Sequence, residues 1–218
     1  MRGLSACHGE EPSTHRARLA YPTTFRAIVR SSFRKGATNI ARAVTRPPAV
    51  RSRDPRWLAA ARAKLGTREA AGSSNNPTII GWAKRLGTKV LGVIYNADSV
   101  PWCGVFVGVC LDEAGIASPA FAVRAKSWAT WGVNLRAERL APGAVMVFER
   151  PGGGHVGFYI GEDAAAYHVL GGNQGDSVTI ARIEKQRCIA RRWPEGQPVI
   201  GKPIILSSGD RPTSRNEA

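Results

Sequence analysis

Cys103 follows Ser99-Val100-Pro101-Trp102 and opens a nearly apolar run through Val105, Phe106, Val109 and Cys110 to Gly115, which reads as a buried helix. A cysteine in the first turn of such a helix meets the positive end of the helix dipole, which favours thiolate over thiol. His155 follows Pro151-Gly152-Gly153-Gly154 and starts the alternation Val156, Phe158, Ile160, so it is expected at the head of a strand. Placed there, its ring can take the thiol proton and return it to a leaving amine. The base then needs its second ring nitrogen held. Leu170-Gly171-Gly172-Asn173-Gln174 offers Asn173 at a strand end, where the glycine pair allows close backbone approach. His168, on the same strand, is the alternative third catalytic group. The backbone N–H of Cys103 is the natural first oxyanion donor. Trp102, Ser127, Trp128 and Gln174 are expected to line the substrate cleft, although Trp128 and Trp131, three apart, suit a core equally well.

These groups need a scaffold, and the hydrophobic pattern supplies one. Asp54-Pro55 starts a helix carrying Trp57, Leu58, Ala61 and Leu65, closed by Gly66. Asn75-Asn76-Pro77 starts a second, with Ile79, Ile80, Ala83 and Leu86, stopped by Gly87. The helix of Cys103 is the third. After residue 131 the pattern changes to β-rich runs at 144–148, 155–160, 167–170, 177–183 and 188–193, which suit an antiparallel sheet of about five strands. Helices first and strands second means an α+β fold. The reading divides the chain into a basic, disordered arm (1–53), a folded domain (54–194) and a mostly frayed tail (195–218) with one short strand over 199–206.

The formal charge of +15 is uneven: residues 1–53 hold ten Arg and one Lys against two Glu, net +9, leaving +6 for the rest. Such an arm attracts polyanions, among them nucleic acid and anionic wall polymers. No stretch approaches the roughly 18 apolar residues of a membrane-spanning helix, and no secretory signal core is read in the arm. Cys7, Cys103, Cys110 and Cys188 show neither a CxxC pair nor zinc spacing, so no metal and no disulfide framework is expected, and Cys110 and Cys188 read as buried small hydrophobes.

Several segments together resemble the NlpC/P60 and CHAP superfamily, and more narrowly its small bacterial and phage CHAP-like branch. They are Pro101-Trp102-Cys103-Gly104-Val105-Phe106-Val107, Ala125-Lys126-Ser127-Trp128, Gly143 to Phe148, Gly154-His155-Val156-Gly157-Phe158-Tyr159, Leu170-Gly171-Gly172-Asn173-Gln174 and Arg192-Trp193-Pro194. The resemblance runs from about Trp57 to Pro194. It implies a papain-like α+β fold with helices packed on the sheet, no cofactor, and a cysteine peptidase or amidase acting on peptidoglycan stem peptides or cross-bridges. Cys103, His155 and Asn173 take its nucleophile, base and orienting positions. Trp102 departs from the commoner pattern, in which aspartate precedes the cysteine. The protein is expected to be a monomer made in the bacterial cytoplasm and acting on the cell wall. Two rival readings are a nucleic-acid or polyanion binder using the arm, and a catalytically inactive wall-binding module.

Overall fold

The computed structural model describes residues 54–207, 213, 214 and 217, so the arm expected over 1–53, with Cys7, lies outside the described residues. Helix α1 spans Arg56–Arg62 and buries Trp57, Leu58 and Ala61. Pro55, not Asp54, stands at its N-cap; the Asp54 carboxylate instead accepts from Arg62 Nε at 2.6 Å. Helix α2 spans Pro77–Leu91, and its start follows the expected pattern, with Pro77 in the first turn and Asn76 Oδ1 accepting the Thr78 N–H at 2.8 Å. Its first part stops at Gly87 as expected, since φ at 75° and ψ at 164° are not helical; a second short helical turn follows, carrying a buried Leu91 and capped by Gly92 in the left-handed conformation.

Helix α3, Cys103–Glu113, is buried at every position from Cys103 to Leu111. It packs against α1, α2 and the sheet; Phe106 lies 6.2 Å from Trp82 and 6.0 Å from Phe158, ring centre to ring centre. At Gly104 a Cβ would stand 2.1 Å from the Ala122 carbonyl oxygen and 2.7 Å from that of Val123. The 122–123 backbone therefore passes directly over the residue after Cys103. Gly104→Ala is expected to lower unfolding free energy in urea by about 1–3 kcal/mol, because a backbone rather than a flexible side chain must give way.

The strands are β1 (Val133–Asn134), β2 (Val145–Arg150), β3 (Gly153–Glu162), β4 (Ala166–Gly171), β5 (Thr179–Glu184) and β6 (Cys188–Trp193). They form one antiparallel sheet in the order β1-β6-β2-β3-β4-β5. The chain is thus α+β, and its six strands exceed the expected five because Val133–Asn134 pairs with the end of β6. Two residues are too few to leave an alternating pattern in the sequence. Val145 through Phe148 are all buried, so β2 is covered on both faces.

Within 195–218, read as a mostly frayed tail, a few described residues are tied to the sheet. Leu206 N–H donates to Glu162 O and Glu162 N–H to Ile204 O, each at 2.8 Å, while Ser214 N–H donates to Arg182 O at 2.7 Å. The expected strand over 199–206 reduces to a single bridge between Ile205 and Glu162. Among the described residues no helix is long and apolar enough to cross a membrane.

Candidate active site

Cys103 is the first residue of α3, and the residue before it is held from two sides. Trp102 N–H donates to Asn173 Oδ1 at 3.2 Å, and its indole Nε1–H donates to Glu69 Oε1 at 2.6 Å. Asn173 Nδ2 closes the triangle on the same Glu69 oxygen at 3.1 Å. Asn173 sits at φ 57°, in the left-handed region, and Gly172 beside it leaves room for the indole, since a Cβ there would lie 2.5 Å from the Trp102 ring. The structure therefore turns Asn173 toward the start of α3 and away from the imidazole. Glu69 escaped sequence reasoning: it lies 33 residues before Trp102, in a segment with no motif. Burial raises the Glu69 carboxyl, with the Trp102 hydrogen bond opposing that shift.

His155 is on β3, opposite Phe148 in the β2–β3 ladder, and is 2% exposed. Its Nε2 lies 3.0 Å from Gln174 Oε1. The Gln174 NH₂ donates to the carbonyl oxygens of Thr179 at 2.6 Å and Val169 at 3.3 Å, so the amide oxygen must be the atom that faces the ring. An amide oxygen only accepts. Nε2 therefore carries the proton and Nδ1 keeps the lone pair that a base requires. Gly171 makes this contact fit, because a Cβ there would fall 2.6 Å from Gln174 Oε1 and 2.9 Å from His155 Nε2. Gln174, read from the sequence as a cleft residue, is the group on the imidazole, and Asn173 is not.

His168 is at the other end of the hairpin. It pairs with Gly161, six residues along β3 from His155, about 20 Å at the rise of a strand. Its Nε2 lies 2.8 Å from Asp163, which also accepts from Arg182 Nε at 2.8 Å and Nη2 at 3.1 Å. Hydrogen bonding by Arg182, opposed by burial and helped by His168, holds the Asp163 carboxyl well below the usual carboxylate range. This cluster ties β4 to β5 and does not reach the His155 ring.

Among the described residues the imidazole bonds to Gln174, and no hydrogen bond joins it to the Cys103 thiol. Burial pushes the Cys103 thiol up, against the opposing pull of the Val156 N–H, Arg150 and the first-turn N–H groups. Burial also pushes His155 down from 6.5 to about 4, with Glu217 and Gln174 opposing and Arg150 and Arg187 adding to the fall. Both shifts favour the uncharged forms, thiol and free imidazole.

A folded pKa below the unfolded one makes the unfolded chain the tighter proton binder between the two values. His155 thus contributes stability above pH 6.5 that is lost progressively down to about pH 4. The drop is about 3 kcal/mol at 1.36 kcal/mol per pH unit of difference. His155→Gln should flatten urea-derived stability across this window, and the loss of the Asp163 contribution should remain, at lower pH.

The cleft at Cys103, about 360 Å³, has Val100 and Pro101 on one wall and Arg124, Lys126 and Arg150 on the other. Trp102 and Trp128 are fully buried, and the Trp128 indole donates to Ala122 O at 2.9 Å, so both are core residues, not cleft lining. Half-buried Ser127 leaves the wall to its neighbours Ala125 and Lys126. The sequence reading missed the three cations because Arg124 and Lys126 meet Arg150 only through the fold. Among the described residues no three His, Cys, Asp or Glu side chains gather as metal ligands. Cys110 is buried and Cys188 half-buried, and burial raises both thiols. Compared with known proteins, the chain matches no family model and no curated protein.

Proposed function

We propose that residues 54–194 are a papain-like cysteine hydrolase that cleaves amide bonds of bacterial peptidoglycan, as an endopeptidase or an amidase. The observation that carries the reading is Cys103 at the start of a buried helix, lining one cleft with Gly154, the neighbour in the chain of a His155 whose tautomer Gln174 sets. In this scheme Nδ1 takes the thiol proton as sulfur attacks the substrate carbonyl. The oxyanion accepts from the Cys103 backbone N–H. Collapse breaks the C–N bond, and the leaving amine takes the proton from Nδ1. Water, deprotonated by the same nitrogen, then hydrolyses the thioester and restores the thiol. Gln174 positions the ring throughout.

The wall substrate rests on the resemblance of the segments around Cys103, His155 and Asn173 to NlpC/P60 and CHAP enzymes. The basic arm is proposed to adsorb to anionic wall polymers. Digestion of purified peptidoglycan, followed by mass spectrometry of released fragments, tests the reading. New amino groups on stem-peptide or cross-bridge fragments support it and identify the bond. An unchanged fragment pattern with folded protein refutes it.

A further inference from the structure

The cleft at Cys103 opens into a larger groove of about 750 Å³, the two sharing Lys126, Arg150, Gly152 and Gly153. Arg187 stands on the wall of that groove. It precedes Cys188, which pairs with Phe148, which in turn pairs with His155. Arg187 therefore lies two strands, on the order of 10 Å, from the imidazole. Its guanidinium is aimed by two backbone oxygens, Nε donating to Glu149 O at 2.9 Å and Nη1 to Ser214 O at 3.0 Å. What the fork then holds is a carboxylate: Glu217, at 2.9 Å from Nη1 and 2.7 Å from Nη2. Glu217 is only 1% exposed, and Ser214 N–H donates to Arg182 O of β5.

We propose that Arg187 is a carboxylate-binding subsite of the active-site groove, and that Glu217 fills it as an intramolecular competitor of a substrate bearing a carboxylate near the scissile amide. The substrate part rests on the amide-hydrolase reading above. A bidentate guanidinium–carboxylate pair is specific in geometry and stronger than a neutral hydrogen bond, so the site selects carboxylates over amides. The rest of the groove agrees in sign. Lys126 and Arg150 stand on its walls, and its acid, Glu149, is already paired with Lys126 at 3.0 Å. Electrostatics connects the site to the chemistry: the Glu217 charge opposes the fall that burial imposes on the His155 imidazole, and, against the rise from burial, Arg187 holds the Glu217 carboxyl below the usual carboxylate range. A substrate carboxylate that displaces Glu217 keeps a negative charge near His155, so the exchange leaves the base in the field it has at rest.

The test reads thiol protection, which requires no turnover. The full chain is labelled at Cys103 with iodoacetamide, followed by peptide mass mapping, in the presence of N-acetyl-alanyl-alanine or its C-terminal amide. Glu217→Gln removes the competing charge with little change in shape, and the acid should then protect Cys103 at a concentration at least about tenfold lower than in the unmodified chain, as expected for a charge-assisted pair. Protection by the amide should not change. Adding Arg187→Gln should abolish the difference between acid and amide, and Arg187→Lys should restore part of it. Glu217→Ala, which removes the carboxylate outright, should give the same order if Glu217→Gln folds poorly. An acid-to-amide ratio unchanged in both Glu217 variants overturns the proposal. Acid-specific protection in a protein that releases nothing from peptidoglycan would instead sink the hydrolase reading and leave the subsite standing.

Discussion

Cys103→Ala should abolish wall hydrolysis, by a factor on the order of 10⁴ or more, while the thermal midpoint stays within a few degrees of the parent. The size of the loss follows from the absence of a substitute nucleophile. Cys110 is fully buried seven residues on along α3, and burial suppresses its thiolate. Cys110→Ala should accordingly retain activity. The small stability effect follows from volume: alanine removes a single sulfur at a helix start whose position is set by Trp102, Asn173 and Glu69. Release of soluble fragments from purified wall, measured beside circular dichroism melting, checks both halves. A Cys103→Ala protein that digests wall at the parental rate would remove the basis of the mechanism.

The second large effect separates Gln174, Asn173 and His168. Gln174→Ala leaves the His155 tautomer and rotation unset, and turnover should fall by about 10²-fold, the low end of what a general base contributes. The hydrogen bond from Gln174 raises the imidazole pKa, so its removal should also move the acid limb of the rate profile to lower pH. Asn173→Ala acts elsewhere: it orphans the buried Trp102 N–H at a cost of about 1–3 kcal/mol and loosens the start of α3. Activity should fall with stability, and the acid limb should stay in place. His168→Ala should weaken the β4–β5 cluster with Asp163 and Arg182 and leave the profile unmoved. Initial rates from pH 4 to pH 8 for the three variants distinguish the roles. A shifted acid limb in Asn173→Ala, with none in Gln174→Ala, would return the orienting role to Asn173.

What the sequence revealed follows from how local each signal is. The apolar run after Trp102 marks α3 as buried, the Asn76-Pro77 start marks α2, and period-two alternation marks β3 with His155 at its head. Each needs only a few neighbouring residues. The choice between Asn173 and Gln174 is of another kind. Two adjacent amides after a glycine pair point in different directions, and which one meets the ring depends on a single left-handed residue, Asn173 at φ 57°. Asn adopts the left-handed conformation more readily than most residues, but nothing in the sequence says that it does so here. Glu69, Glu217 and the cations of the cleft are brought in by long-range packing, which periodicity does not encode. Gly87, by contrast, is a local signal: its non-helical backbone breaks the second helix where the sequence placed the stop, and only the short turn beyond it went unread.

The sheet ends in two unlike margins, and both resist recruitment into fibrils. On one side β1 offers a template of only two residues. On the other, β5 carries Arg182 and Glu184, is followed by Lys185, and is bridged at Ile183 by Ser214. Short length, charge and partial cover are the devices that keep open strand edges from templating one another. The Ser214 bridge thus covers part of one margin of the sheet, and its loss would expose ladder to neighbouring molecules.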